Sequence, residues 1–374
     1  MRFLSLKVLA ILVSGSSLFV SAADADTDTD ATDDAADTSI TIDSRSLDDI
    51  YAAAQLEKGT LRVAWGGDVA SSATFISSAF TTKFPNITLD LKVDVSKYHD
   101  SFIDRTYQST NGTDSGVDVA VLQTLHDFTR WKRENRLLRY KAAAFGDIYP
   151  QFVDADGAYT GVYMFSFGNV VYEPLKINAS DVPTTYPAFL TSDWLNKITL
   201  TYPNDDDAIL YLFSLIITKY GWGFMSDLLK VQPLWIRGTA SPSLVMAENT
   251  TDNTRIVSFA SSSAFAKGVA VKDIEDVHMM WPQTASIFST TTMPESAKLF
   301  MNYLLSDDWQ KIMTASGIAT RKTYDKLGVF NLTNVDPTGY GRFMADRASV
   351  ERWRFQFESI LGTSQGLDPI DLQF

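Results

Sequence analysis

Along residues 58–135 the spacing of apolar residues alternates between two periods. Short apolar or alternating runs, typical of strands, cover residues 61–65, 87–93 and 117–122. Between them, apolar residues recur at the spacing of one helix face, with Phe75, Ile76, Ala79 and Phe80 in the first segment and Phe102, Ile103, Thr106 and Tyr107 in the second. Strands that alternate with helices predict an open, mostly parallel α/β sheet.

The second half of the chain contains two long β-rich segments, residues 159–173 and 278–288. Their length suits strands that cross between two lobes. Residues 208–220 are apolar on nearly all faces and stop at Gly221, which predicts a buried helix and not a membrane span. Apolar residues at helical spacing predict two late helices, one with Ala297, Phe300, Met301, Leu304 and Leu305, the other with Val350, Trp353, Phe357 and Ile360.

The N-terminal residues have a different composition from the rest. Residues 1–23 carry Arg2 and Lys7, then an apolar stretch, then small residues, which is the pattern of a secretory signal peptide. Residues 24–57 open with an acidic Asp/Thr/Ala run and predict a disordered leader. Because no later segment has eighteen uninterrupted apolar residues, we expect no membrane span in the mature chain.

Charge and cysteine content exclude several classes of protein. The net charge is −13, of which residues 1–37 carry −5, so the remainder carries −8 and lacks the basic excess of a nucleic-acid binder. The absence of cysteine excludes disulfides, thiolate metal sites and cysteine nucleophiles. Five N-x-[ST] sequons predict glycosylation and favour a eukaryotic secreted protein: Asn86, Asn111, Asn178, Asn249 and Asn331.

Local catalytic motifs are missing. The sequence has no G-x-S-x-G, no H-E-x-x-H and no Walker-type glycine loop, and its three histidines lie far apart. We therefore predict no catalytic residue, no cofactor and no metal site.

Three consecutive aspartates, Asp205, Asp206 and Asp207, precede the apolar helix. They could be a metal site, half of a glycosidase-type acid pair, the lip of a ligand cleft, or only the start of a helix. Successive side chains at a helix start diverge, which disfavours the first two. The simplest interpretation makes Asp205 the N-cap and puts the other two in the first turn, where the helix dipole favours negative charge.

Several stretches, in order, resemble the type II periplasmic (extracellular) solute-binding proteins. They are "GTLRVAWGGD", "VDVAVLQTLHDFTRW", "VPTTYPAFLTSDWLNKITLTYPND", "LWIRGTASP" and "MPESAKLFMNYLLSDDWQ", spread over most of residues 58–360. The most similar branch includes the iron(III)-, thiamine- and polyamine-binding proteins and fungal secreted relatives.

The resemblance implies an α/β, two-lobed type II periplasmic-binding-protein-like fold with two hinge crossings and an interlobe cleft. Residues 58–162 and 281–374, including the C-terminal helices, would form lobe 1, and residues 163–280 would form lobe 2. Ligand would bind in the cleft, and the lobes would close on it by hinge motion. The sequence departs from iron-binding members, because "RIVSFASSSAFAKG" has no tyrosine where they carry an adjacent pair. We therefore do not assign iron.

The same resemblance predicts which loops line the cleft. The ligand-binding residues would be Trp65, Gly66, Gly67, Asp68, Gln123, Thr124, Asn204, Asp205, Arg237, Gly238, Thr239, Ser258, Ser261, Phe265 and Trp281. Arg237 suits a carboxylate or phosphate, although it could equally be a surface arginine at a strand end. The two glycines could bring backbone N–H groups to a ligand or only make a tight turn.

The sequence thus predicts a secreted, monomeric solute-binding protein, not an enzyme, for a small polar ligand, zwitterions included. A carboxylate-dependent secreted hydrolase and a ligand-less interaction or cell-wall module on the same fold are the alternatives. Stabilisation by a ligand would favour the solute-binding protein. Enzymatic turnover that is lost in Asp205→Asn would favour the hydrolase, and a cleft packed shut would favour the ligand-less module.

Overall fold

The computed structural model describes residues 40–123, 126–248, 254–260, 268–314 and 316–371. The predicted signal peptide, residues 24–39 of the predicted leader, and Thr124, Asn249, Ser261 and Phe265 lie outside the described residues.

The strands follow one another through the whole described chain. They are β1 Leu61–Gly66, β2 Leu89–Asp94, β3 Val119–Leu122, β4 Leu137–Leu138, β5 Thr160–Phe167, β6 Asn169–Tyr172, β7 Thr199–Thr201, β8 Leu234–Ile236, β9 Val257–Ala260, β10 Ala270–Lys272 and β11 Met279–Phe288. The α-helices are α1 Leu47–Ala54, α2 Ser72–Lys83, α3 Ser96–Ser109, α4 Asp127–Arg133, α5 Asp207–Tyr220, α6 Gly223–Lys230, α7 Ser241–Ala247, α8 Pro294–Leu304, α9 Asp307–Met313, α10 Gly339–Ala345 and α11 Arg347–Leu361.

Lobe 1 is built on a six-stranded sheet. Its order is β2-β1-β3-β11-β4, and β5 also pairs with β11. The pairs β1–β2 and β1–β3 are parallel, but β11 runs antiparallel to β3, β4 and β5. The sheet is therefore mixed and not mostly parallel, because β11 returns from lobe 2 in the opposite direction.

Lobe 2 contains a three-stranded antiparallel sheet, β10-β6-β9, and the parallel pair β7–β8. A bridge between Ile198 and Val257 links the two. The predicted apolar helix is α5, and nine of its fourteen residues are buried. Among the described residues no single helix is long and apolar enough to cross a membrane, although the sharply bent pair α5–α6 meets the test by length and composition.

The chain crosses between the lobes twice. Strand β5 passes into β6 at Gly168, whose φ of 100° suits glycine, and residues 273–278 lead from β10 into β11. The two crossing strands of lobe 1, β5 and β11, pair antiparallel along most of their length. The predicted lobe limits, 162/163 and 280/281, fall inside these two strands.

The structure differs in part from two predictions about the chain ends. Helix α1, with a capping box from Ser46 and Asp49 and with Ile50 buried against α8, lies inside the predicted disordered leader. Helices α10 and α11 pack on α5 of lobe 2 and not only on lobe 1, with Tyr340 and Phe357 fully buried in the same cluster as α5. The acidic composition of the N-terminal run led to a prediction of disorder that extended over the amphipathic helix α1. Helical periodicity shows which face of a helix is buried but not which lobe that face will pack on.

Candidate functional site

The loops after β1, β2 and β3 meet lobe 2 at one edge of the lobe 1 sheet. The three strands run parallel, so their carboxyl ends lie together, and this is the edge where α/β sheets bind ligands. We call the residues that bond across this edge the interlobe site, which consists of Asp68, Lys97, Tyr98 and Gln123 from lobe 1 and Asp205, Asp206, Arg237, Thr239 and Ala240 from lobe 2.

Asp68 joins the loop after β1 to the start of α7. Its Oδ2 accepts hydrogen bonds from the Thr239 hydroxyl at 3.0 Å and from the Ala240 backbone N–H at 2.8 Å. Burial raises the pKa of Asp68, whereas these two hydrogen bonds act in the opposite direction. Hydrogen bonds from lobe 2 therefore stabilise the carboxylate where burial removes its hydration.

Asp205 is the centre of a charged network between the lobes. Lys97 Nζ lies 2.8 Å from its Oδ1, and Arg237 Nε lies 3.1 Å from its Oδ2. Arg237 also donates to the Tyr98 hydroxyl in lobe 1. Burial alone would raise the pKa of Asp205, but Lys97 and Arg237 lower it below its ordinary value, so the carboxylate is ionised at neutral pH. With Asp205 9% and Arg237 14% exposed, this charge pair is largely removed from solvent.

Asp206, and not Asp205, is the N-cap of α5. Its backbone is extended, with φ −127° and ψ 130°, and its Oδ1 accepts from the N–H groups of Ala208 and Ile209 at 2.8 and 3.1 Å. Its Oδ2 lies 3.5 Å from Nε2 of Gln123 in lobe 1. Burial, and then the charge of Asp207, raises the pKa of Asp206 to about 6. The predicted cap was thus wrong by one residue.

Asp207 faces the C-terminal helix α11. Its carboxylate pairs with Arg347 and Arg354 of α11. The three consecutive aspartates therefore point in three directions, as the divergence of successive side chains requires. Asp205 binds lobe 1, Asp206 caps α5, and Asp207 anchors α11, so they do not converge as an acid pair.

Three residues predicted to line the cleft lie in cores instead. Trp65 is buried and stacks on Tyr163 with ring centroids 5.7 Å apart. Trp281 is buried and stacks on Phe165 at 5.3 Å. Ser258 is fully buried in the central part of β9. Side chains alternate between the two faces of a strand, so a residue beside a loop in sequence can point into a core, and a ligand-binding role for these three residues stays a prediction.

The two predicted glycines of lobe 1 differ in their surroundings. A Cβ on Gly66 would lie 2.2 Å from the Ser96 hydroxyl oxygen, so the residue fills a tight position under the loop. A Cβ on Gly67 would only touch Val93 at 3.4 Å. In lobe 2, Gly238 has a φ of 91° and its carbonyl accepts from the Thr201 hydroxyl at 2.6 Å. These glycines shape the loops, and the polar side chains beside them make the interlobe bonds.

Sequence reasoning missed Lys97 and Tyr98, which lie in the first turn of α3, shortly after the end of β2, in "VDVSKYHD". The rule used for the loops after β1 and β3 would have found them. It also missed the C-terminal segment, where Asn204 donates to the carbonyl of Gly362 at 3.0 Å and Ser364 donates to Asp205 at 3.1 Å. No local sequence pattern predicts these two contacts, because the partners are about 160 residues apart.

Possible sites of other kinds are few among the described residues. No group of three or more His, Asp or Glu side chains lies where it could hold a metal ion. An open groove of about 480 Å³ lies on lobe 1, lined in part by Arg45, Lys83, Asp308 and Arg321, but these charges are already paired with neighbours. The four described sequon asparagines, Asn86, Asn111, Asn178 and Asn331, are exposed.

The chain belongs to the family of bacterial extracellular solute-binding proteins, whose model matches residues 114–327. Members of this family are binding proteins. No curated protein matches the chain.

Solved structures with the same fold cover about four fifths of the chain. The substrate-binding protein of an ABC transporter from Agrobacterium tumefaciens superposes with a TM-score of 0.66 at 12% identity, covering 81% of this chain and 95% of that one. The periplasmic binding protein AfuA from Actinobacillus pleuropneumoniae, with fructose-6-phosphate bound, gives 0.61 at 14% identity, with 81% and 98% covered. Iron-bound HitA from Pseudomonas aeruginosa gives 0.58 at 13% identity, with 80% and 99% covered. The predicted two-lobed type II periplasmic-binding fold is thereby confirmed.

Proposed function

We propose that this protein is secreted and binds a small polar ligand at the interlobe site, with the lobes opening and closing about the two crossings. The observation that carries the proposal is the chemistry of the contact between lobes. Asp68, Lys97, Asp205 and Arg237 meet across the edge where parallel strands end, and their bonds are polar and exchangeable.

The charges favour a ligand that carries both an acidic and a basic or hydroxyl group. Arg237 offers a planar guanidinium to a carboxylate or phosphate, and Asp68 and Asp205 offer acceptors to an amine or hydroxyl. In the closed arrangement these groups bond to each other. A ligand would replace those bonds one for one, so that no buried charge would lose its partner on binding.

A second candidate is an interaction module that keeps the fold without a small ligand. The direct bonds between the lobes favour it, because the protein's own side chains already satisfy the charges of the site. The hydrolase alternative has less support, since Asp205 is held by two cations and Asp206 is engaged as a helix cap.

A thermal-shift panel tests the first proposal. It would contain amino acids, dicarboxylates, sugar phosphates including fructose-6-phosphate, polyamines, thiamine and ferric citrate. A compound at about 100 times its Kd should stabilise the native state by about 2.7 kcal/mol, a shift of several degrees. Arg237→Met should abolish the shift for an acidic compound.

The matched control is Lys230→Met, which removes an exposed cation of lobe 2 that pairs with Asp227 in its own helix. It should leave the shift unchanged. If no compound in the panel raises the Tm, the ligand-less module becomes the better interpretation. If Arg237→Met keeps the full shift, ligand binds elsewhere.

We also propose glycans at the exposed sequons. Exposure of the four described asparagines supports this, since a transferase needs access to the side-chain amide. Protein secreted from a eukaryotic host should lose mass on treatment with an N-glycosidase, and Asn111→Gln should remove one glycan equivalent.

A further inference from the structure

After α11 the chain runs back over lobe 2 and covers part of the interlobe site. We call residues 362–371 the C-terminal strap. It begins at Gly362, whose φ of 76° ends the helix, and closes with a short 3-10 turn, Pro369–Asp371. The strap is not needed to complete a sheet or to cap α5, so its position requires another explanation.

The strap contacts the same lobe 2 residues that bond to lobe 1. The Ser364 hydroxyl donates to Asp205 Oδ1 at 3.1 Å, the oxygen that Lys97 also contacts. Asp368 Oδ2 lies 3.9 Å from Arg237 Nη2, on the guanidinium that donates to Tyr98. Asp205 and Arg237, two of the lobe 2 residues that bond to lobe 1, are thus also contacted by the strap.

Packing holds the strap in place at Gly238. Pro369 is buried, and its Cβ and Cγ lie 2.8 and 2.9 Å from the position that a Cβ on Gly238 would take. The strap therefore lies directly on the loop between Arg237 and Thr239, and only glycine leaves room for it there. Asn204 adds a hydrogen bond to the carbonyl of Gly362.

We propose that the C-terminal strap is an intramolecular competitor for the interlobe site. Asp368 presents a carboxylate to Arg237 where an acidic ligand group would bind, and Ser364 holds Asp205 toward Lys97. The strap thereby keeps the lobes closed without ligand, and a ligand must displace it to reach Arg237. Because the strap is tethered, it competes at a high effective concentration and lowers the apparent affinity for free ligand.

This proposal rests on the proposed function for its biological meaning, but its test needs no ligand. The Ala240 amide donates to Asp68 across the interface, so its hydrogen exchange reports opening of the lobes. In the full chain, Ser364→Ala/Pro369→Gly should lower the protection of Ala240 at least about tenfold. Amides of β1, inside lobe 1, should keep their protection.

The matched control is Gln365→Ala/Leu367→Gly, which changes two exposed residues of the same strap. It should leave Ala240 unaffected. Equal protection of Ala240 in both variants and the unmodified protein, or an equal loss in both variants, overturns the proposal. If the first double variant also loses protection in β1, the comparison is made with Ser364→Ala against Gln365→Ala, and the same two outcomes decide it.

Failure of the proposed function has a different signature. In that case no compound of the thermal-shift panel stabilises either the unmodified protein or the strap variant, while the difference in Ala240 exchange persists. If both proposals hold, a compound that binds should show a higher affinity for the strap variant.

Discussion

Replacing Asp206 by asparagine should stabilise the protein at pH 8 and leave it nearly unchanged at pH 3.5. The carboxylate caps α5 through Oδ1, and an asparagine amide oxygen can accept the same two backbone hydrogen bonds. What the substitution removes is a charge that the surroundings disfavour. Burial, and then the charge of Asp207, raises the pKa of Asp206 from its ordinary value of 3.8 to about 6.

The sign follows from proton linkage. The native state holds this proton up to a higher pH than the unfolded chain does, so unfolding releases a proton between about pH 4 and 6. Stability due to Asp206 is therefore greatest below about pH 4 and falls as the pH rises through about 6. A difference of about two pKa units corresponds to about 2.7 kcal/mol. Since Asp206 keeps some contact with solvent, we expect Asp206→Asn to gain about 1–2 kcal/mol at pH 8.

Asp206→Ala separates the cap from the charge. It removes the same charge but also the acceptor, which costs about 1 kcal/mol. Alanine should therefore be about 1 kcal/mol less stable than asparagine at every pH. Urea unfolding followed by tryptophan fluorescence at pH 3.5, 5, 6.5 and 8 measures both differences, provided that the m-values agree.

Asp193→Asn, at an exposed aspartate of a 3-10 turn, is the control and should stay within about 0.5 kcal/mol of the unmodified protein. The reasoning is refuted if Asp206→Asn is less stable at pH 8, or if its difference from the unmodified protein does not change with pH. The first result would mean that the helix dipole and Gln123 stabilise the ionised carboxylate more than burial disfavours it, and the second would mean that these effects cancel.

Two further pairs of substitutions test the packing around the site. Gly66→Ala should lower the free energy of unfolding in urea by about 1–3 kcal/mol, because its Cβ would overlap the Ser96 hydroxyl. Gly67→Ala should change it by no more than about 0.5 kcal/mol. Equal losses in the two variants would contradict the tight packing around Gly66. Phe357→Ala should cost about 3–5 kcal/mol, because the fully buried ring joins α11 to the core of lobe 2. Phe355→Ala, at a ring that is 71% exposed, should change stability by no more than about 0.5 kcal/mol. A similar loss in Phe355→Ala and Phe357→Ala would show that the buried ring of Phe357 is not what stabilises the packing of α11.

Much of the fold could be predicted because burial leaves a periodic trace in the chain. The strands near residues 61–65 and 117–122 and the helix near 208–220 were recognised within one or two residues of β1, β3 and α5. The two β-rich crossings were recognised for the same reason. Their ends were less certain, since hydrogen bonding, and not hydrophobicity, decides where a strand stops.

The loops that meet between the lobes could be predicted, but not the contacts that each side chain makes, and binding of a ligand by these residues stays a prediction. Asp68, Gln123, Asp205, Arg237 and Thr239 do meet between the lobes, because parallel strands bring their carboxyl ends to one edge whatever the side chains are. The direction in which each residue points was beyond the sequence. Trp65 and Trp281 stand beside those loops but turn into the cores.

By itself the periodicity of the sequence determined the order of the main strands and helices and the two long crossings, whereas the two lobes and the cleft between them followed from the resemblance to a known family. Only the tertiary structure decided which interactions Asp205, Asp206 and Asp207 each make. One binds Lys97 and Arg237, the next caps α5, and the third holds α11 through Arg347 and Arg354. The partners lie between a few and about 150 residues away, and a pattern of neighbours along the chain carries no record of contacts that form only when distant elements pack.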